Sequence, residues 1–502
     1  MAFFHIFQIP SVKDWLYLLL LTLVIIILIV ISEIIRKRFN WPQEVTRKIV
    51  HIGVGFLLLL TPLLFETSMP LVCIAAFFSL FNYIALRNNL LPGIHIDRNN
   101  FGTVYYAVSF LILILIFWDG FKIIIVAAML VMAIGDAAAA IAGRSFKNVH
   151  HYILIHDRKS IEGSIVMLLV STLIIYITFL LYPSYLVVIH PSLGILLLIS
   201  VLTGLVATAA EALGDKGNDN LSVPLVSAII LFFLMKGDNA SILQFFLGMF
   251  FGIVFAYFSY KVKFLTASGA VITFILATFI FGFGGWAWTL PILTFFILSS
   301  SLSKFGKSES EKIFEKGSQR DHLQVLANGG IAGILIIFYT FYPSLTFYLL
   351  YLGALAAATA DTWATEIGMM KGQEPRLISN FKQVPPGTSG GITLAGTAGA
   401  ITGAFVLAMS GVWFVEQNRF KLLIIITLSG LLGSLFDSLL GATLQVQYKC
   451  DICNKITEKK WHCESNNTMI ISGAHWVNND MVNFFNTISG SIFALICFHL
   501  FL

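Results

Sequence analysis

The chain has 502 residues, of which 58% are hydrophobic and only 11% are charged, and its formal net charge is +5. That composition excludes a soluble globular enzyme, and a small positive balance with no soluble basic domain excludes nucleic-acid binding. Apolar runs of about 20 residues, the length a helix needs to cross a bilayer, recur from end to end. Only helices or closed barrels satisfy their backbone in hydrocarbon, so the expected fold is all-α, a polytopic transmembrane helix bundle.

Sixteen spans are expected, near 15–35, 49–65, 69–86, 103–118, 123–142, 163–182, 193–212, 221–235, 242–260, 266–284, 286–302, 323–342, 344–362, 391–412, 422–445 and 483–502. The first is too long for a removable signal peptide and lacks a small-residue cleavage site. With this alternation, 26 of the 31 Lys and Arg fall in loops on one side. The positive-inside rule makes that side cytoplasmic and leaves both termini outside, as in a multi-pass protein of the cell membrane if the source is bacterial. The chain divides near residue 240, so that 1–240 and 241–502 hold eight spans each. The longest polar pieces, 303–322, 363–390 and 446–482, are too short to bury a core. Chemistry is therefore expected at the membrane surface.

Ionisable groups inside spans are costly and tend to face a site or cavity. In the first half, Arg47, Lys48 and His51 open the second span, and Arg47 and His51 share a helix face. Gly135 and Asp136 begin a run of small residues ending at Arg144. Lys159, Ser160, Glu162 and Gly163 then lead into a helix whose first amides would suit a phosphate. Glu211, Asp219 and Asn220 follow.

The second half repeats the theme. Gln324 and Asn328 open a span, Asp361 and Glu366 sit in another, and Gly387, Thr388, Ser389 and Gly390 form a glycine- and hydroxyl-rich turn. Such a turn has the geometry of an anion nest. Asp437 and Asp480 complete the set. Carboxylates facing a phosphate nest need a cation between them, and Mg²⁺ is the economical choice. Asp136 and Asp361 each begin Asp-x-x-Ala-x-x-x-Gly, and 27 and 29 residues separate them from Gly163 and Gly390. Either the halves are distant copies, or span length alone sets the spacing.

Cys450, Cys453, His462 and Cys463 lie in one loop with His475 nearby, a candidate zinc site or a set of thiols. Since His462 and Cys463 are adjacent and awkward to use together, His475 is the alternative fourth ligand. On a cytoplasmic face a disulfide is disfavoured.

Residues 44–230 resemble the dolichol kinase and phytol kinase family through Arg47-Lys48-x-x-His51, Gly135-Asp136 to Arg144, Lys159-Ser160-x-Glu162-Gly163, Glu211 and Asp219-Asn220. Residues 262–490 resemble the membrane family of the plant phytyl-phosphate kinases. That likeness rests on Gln324 to Gly330, Ala360 to Glu366, Pro385 to Gly391, Asp437-Ser438-x-x-Gly441-Ala442 and Asn479-Asp480. The resemblance implies a nucleoside triphosphate, generally CTP, as phosphoryl donor. An isoprenoid alcohol would become a prenyl monophosphate and then a diphosphate. The residues suit that chemistry: Asp136 is expected to orient or deprotonate the alcohol, Lys159 to hold the nucleotide phosphates and Asp361 to act at the second site, with Glu211, Asp219, Glu366, Asp437 and Asp480 as Mg²⁺ ligands. The first half has Arg158-Lys159 where the family has glycine-lysine, which leaves its nucleotide preference open. A secondary transporter and a cytidylyltransferase are the rival readings. The polar residues stand at helix ends rather than at the midplane, which argues against transport.

Overall fold

The computed structural model describes residues 8–88, 100–146, 148–182, 191–305, 319–370, 373–453, 456–458, 460–463 and 466–501. Of the charges counted above, Arg98, Lys147, Lys307, Lys312, Lys316, Lys371, Lys455 and Lys459 lie outside the described residues. Among the described residues, fourteen helices are long and apolar enough to cross a membrane. Two of them are too long for one crossing. Gly102–Ser145 has 44 residues and Ala267–Lys304 has 38, which at about 1.5 Å per residue exceeds a hydrocarbon core of about 30 Å. Each is broken where expected. Asp119, Gly120 and Phe121 leave helical geometry, with Gly120 at φ 81°, and Gly285 does so at φ 62°. Positive φ is cheap only for glycine, so these residues end one segment and start the next. Each long helix thus holds two of the expected spans.

The chain forms two compact units, Met1–Ile242 and Leu243–Leu502. In the first, the halves of Gly102–Ser145 and the helix Asp219–Lys236 form the interior, with residues such as Leu113, Met129 and Leu231 buried. The first helix, Val12–Phe39, turns Leu16, Leu19, Leu23 and Ile27 outward, as lipid contact requires. In the second unit, Leu345–Met370 is central and is buried without a break from Tyr351 to Ala360. Small residues let its neighbours close in. A Cβ on Gly353 would lie 2.5 Å from the Gly490 carbonyl, and one on Gly430 2.9 Å from that of Ala356. Without a hydrophobic force between helices in lipid, such backbone approach supplies much of the packing.

Between spans lie short antiparallel hairpins. His151–Ile153 pairs with Arg158–Ser160, and Arg376–Leu377 with Gly391–Ile392. A third group pairs Gln447–Lys449 with both Ile456–Thr457 and Met469–Ser472, and Trp461–His462 pairs with Asn466–Asn467.

Candidate functional site

In the first unit, the helix Gly102–Leu130 passes through a π turn, Val131–Gly135, and resumes as Asp136–Ser145. An extra residue in one turn re-aims the side chain that follows, here Asp136. The hairpin strand Arg158–Ser160 delivers Ser160 as N-cap of Ile161–Leu181, and its Oγ accepts from the Gly163 N–H at 3.1 Å. Gly163 lets that helix sit against the Asp136 helix, since a Cβ there would lie 2.9 Å from the Ala139 carbonyl.

One residue before the cap, Lys159 enters the cavity. Its Nζ is 2.6 Å from Glu211 Oε1 and 3.4 Å from Asp219 Oδ2. Burial opposes the ammonium charge, but Asp219 and Glu211 outweigh it and raise its pKa. Lys48 Nζ is 3.6 Å from Asp136 Oδ2 and 3.5 Å from the Asp136 carbonyl oxygen. One oxygen each of Asp136, Glu211 and Asp219 lies within 4.8 Å of the others, a set that could hold a metal ion. The enclosing cavity is about 470 Å³, with Arg47, Arg144, Ser160, Gly163 and Asn220 also lining it. Arg144 is ion-paired with Glu44.

Three expected site residues do not line this polar cavity. His51 faces a separate apolar pocket of about 140 Å³, its ring 4.1 Å from that of Tyr106. Gly135 serves packing, because a Cβ there would meet Met167 Sδ at 2.8 Å. Glu162 accepts from the His150 N–H at 3.0 Å and meets its Nδ1 at 2.7 Å, which anchors the hairpin.

The second unit repeats the local design. After Gly391–Ile392, Thr393 caps Leu394–Val412 and accepts from the Gly396 N–H at 2.9 Å. A Cβ on Gly396 would lie 2.8 Å from the Ala364 carbonyl. Ala364 follows Asp361 by three residues, as Ala139 follows Asp136. The counterpart of Gly163 is therefore Gly396 rather than Gly390, and the counterpart of Lys159 is Ile392. Gly390, at φ 80°, instead abuts Arg419–Thr443, where a Cβ would meet the Ser438 carbonyl at 2.5 Å. Within the glycine-rich turn the Thr388 N–H donates to the Pro385 carbonyl at 3.2 Å, so it is not offered to a ligand.

Asp361, Glu366, Asp437 and Asp480 all line a cavity of about 340 Å³, together with Gln324, Asn328, Gly387, Thr388, Ser389 and Gly390. Glu366 Oε2 and Asp437 Oδ1 are buried with no hydrogen-bond partner. Buried carboxylate oxygens without partners are costly and invite a cation. Among the described residues, however, no three of these acids converge as tightly as the first unit's three.

Two lining residues carry no motif signal. Arg320 stands two residues before the helix His322–Phe341, next to Asp321, which forms a capping box with Gln324. Its guanidinium lies 5.3 Å from the Phe295 ring centroid. Burial brings its pKa down to about 10, with Glu366 opposing, so it stays charged at neutral pH. The Asp-x-x-Gln capping pattern was the available clue. Glu458 accepts from Ser389 Oγ at 2.7 Å and from Gln445 Nε2 at 2.8 Å, reaching the cavity from the cysteine-bearing loop.

In that loop Cys450, Cys453, His462 and Cys463 each bring a ligand atom within 4.8 Å of the others. The structure brings the adjacent pair into one group. Cys463 adopts φ 46°, which turns its thiol to the side of the His462 ring, and His475 is not part of the group.

Residues 250–491 match the family described as Integral membrane protein DUF92. The chain is similar to Protein PGR of Arabidopsis thaliana, 33% identical over 256 residues that span 46% of this chain and 87% of that protein. It is similar to Phytol kinase of Synechocystis sp., 33% identical over 204 residues, 40% of this chain and 83% of that one. Phytol kinase 1, chloroplastic, of Arabidopsis thaliana is 30% identical over 215 residues, 39% of this chain and 68% of its own. No solved structure matches the chain.

Proposed function

The chain belongs to the phytol kinase family and to that of Protein PGR, and from that premise we propose that it is a membrane kinase of isoprenoid alcohols with two active sites. The first unit converts the alcohol to its monophosphate and the second converts the monophosphate to the diphosphate, with CTP as donor in each. One observation carries this reading. In each unit a polar, acid-lined cavity adjoins an apolar pocket, and an arginine lines both: Arg47 in the first and Arg320 in the second. A prenol or prenyl phosphate has the same order, an apolar chain ending in a polar head.

Phosphoryl transfer depends on positioning and charge neutralisation. In the first unit the alcohol oxygen forms a bond to the γ-phosphorus of CTP, the bond to the β–γ bridging oxygen breaks, and CDP leaves. Asp136 takes the alcohol proton, while Lys159, Arg47 and Lys48 hold the phosphates. In the second unit the attacking oxygen already belongs to a phosphate, so no proton need be removed. There Asp361 and its neighbouring acids organise the donor, and Arg320 faces the monophosphate. Asp136, Glu211 and Asp219 in the first unit, and Glu366, Asp437 and Asp480 in the second, would hold Mg²⁺, which would supply further charge neutralisation. The Lys- and Arg-rich side is assigned to the cytoplasm, where the nucleotide is.

The test is to incubate purified full-length protein with CTP, Mg²⁺ and phytol or longer prenols, then weigh the products by mass spectrometry. Mono- and diphosphates with release of CDP are expected. Release of pyrophosphate with a CDP-lipid product would replace this reading by a cytidylyltransferase.

A further inference from the structure

The cysteine-bearing loop has little to hold it by itself. Its hairpins are two to four residues long and expose Ile452, Trp461, Met469, Ile470 and Ile471. Pieces this small need a staple such as a metal ion. Cys450 and Cys453 flank the turn that follows Gln447–Lys449, while His462 ends the strand Trp461–His462 and Cys463 begins the turn after it. Two separate turns therefore deliver two ligands each to one point. His462 Nδ1 lies 3.5 Å from Cys453 Sγ and 3.2 Å from Cys463 Sγ. A tetrahedral zinc ion, with Zn–S about 2.3 Å and Zn–N about 2.0 Å, spaces nitrogen and sulfur about 3.5 Å apart. A set of three thiolates and one imidazole is a closed structural zinc set, with no position left for substrate. Cys450 is almost fully buried, at 1% exposure, as a structural ligand should be.

The loop also touches the second cavity. Between Cys453 and His462 it carries Glu458, which accepts hydrogen bonds from Ser389 and Gln445 and lines that cavity. Ser389 belongs to the glycine-rich turn at 385–391. We propose that Cys450, Cys453, His462 and Cys463 bind a structural zinc ion, and that this ion holds Glu458 against Ser389 and so fixes the 385–391 turn beside the second cavity. The ion itself is independent of the kinase reading; only its effect on the second phosphorylation rests on that reading.

The full-length protein, purified in detergent without chelator, should carry about one zinc per chain by elemental analysis. Exchange of Co²⁺ into the wild-type protein should give the thiolate-to-metal absorption of a tetrahedral sulfur-rich site. Removing zinc by chelation should raise hydrogen–deuterium exchange across 385–391 about tenfold, the sign of a weakened local opening equilibrium. The variant Glu458→Gln should keep its zinc but show the same rise in exchange. Less than about a tenth of a zinc per chain, with no cobalt–thiolate band, would overturn the ion. Zinc present but exchange at 385–391 unchanged by chelation would overturn its role at the turn. Both readouts are independent of activity, so they stand apart from any failure of the kinase assay.

Discussion

The substitution Asp136→Asn isolates the first site with little change of volume. The carboxylate faces Lys48 at 3.6 Å. At an effective dielectric near 20 that contact is worth ~5 kcal/mol of gross attraction, an upper bound. The net cost to stability is smaller, about 1–3 kcal/mol, because the lysine still reaches the Asp136 carbonyl oxygen and an amide keeps some of the bonding. Lys159 retains both Glu211 and Asp219. The fold should therefore survive. Loss of a general base costs about 10²–10⁴ in rate. Conversion of prenol to monophosphate should fall at least about a hundredfold, or about 2.7 kcal/mol of barrier. Supplied prenyl monophosphate should still become diphosphate at the wild-type rate. Asp361→Asn should do the reverse, leaving prenol stalled as monophosphate. The assay is product mass from prenol and from monophosphate as separate substrates, with thermal unfolding as the control for folding. Equal loss of both steps in each variant, with normal unfolding, would refute two independent sites.

Gly163→Ala and Gly396→Ala should each destabilise their own unit by about 1–3 kcal/mol through overpacking against a backbone carbonyl. Limited proteolysis, read by fragment mass, would localise each effect. Arg320→Gln should raise the KM for prenyl monophosphate about tenfold, as expected for a lost charged hydrogen bond of about 1.5 kcal/mol or more, and leave the first step unchanged. An unchanged KM would remove Arg320 from the acceptor site. Ile155→Cys and Asn380→Cys should resist an impermeant thiol reagent in intact cells, compared with the unsubstituted chain. Labelling of either above that background would reverse the assigned orientation.

The membrane-spanning elements were legible because length and hydropathy are nearly sufficient for a helix in lipid. Even the breaks at Gly120 and Gly285 fell between expected spans. The short hairpins were not legible. Two- or three-residue strands such as Gly391–Ile392 have no period to detect, and their pairing is set by the helices they join. This is also why spacing pointed to Gly390 as the partner of Gly163. Counting residues cannot register the turn at 385–391, which lengthens one copy before the cap at Thr393. The structure turns His51 toward the apolar pocket that Arg47 also lines and Glu162 toward His150, because sequence adjacency does not say which way a side chain emerges from its helix. Glu458 escaped notice because its role depends on two contacts, with Ser389 and Gln445, made 69 and 13 residues away.

If each unit carries its proposed step, the exchange of Lys159 for Ile392 at matching positions would have a consequence for cell physiology. One unit carries a fixed ammonium between two of its acids. The other sets Arg320 against Asp361, Glu366, Asp437 and Asp480, and on the proposed reading would take more of its compensating charge from an exchangeable ion. The two reactions would then answer differently to magnesium supply, the second failing first as the ion becomes scarce. Starvation for magnesium would pool the intermediate rather than the starting alcohol, turning a sequential pathway into a valve. A titration of Mg²⁺ at saturating nucleotide would display that valve as two separated midpoints, and coincident midpoints would rule it out.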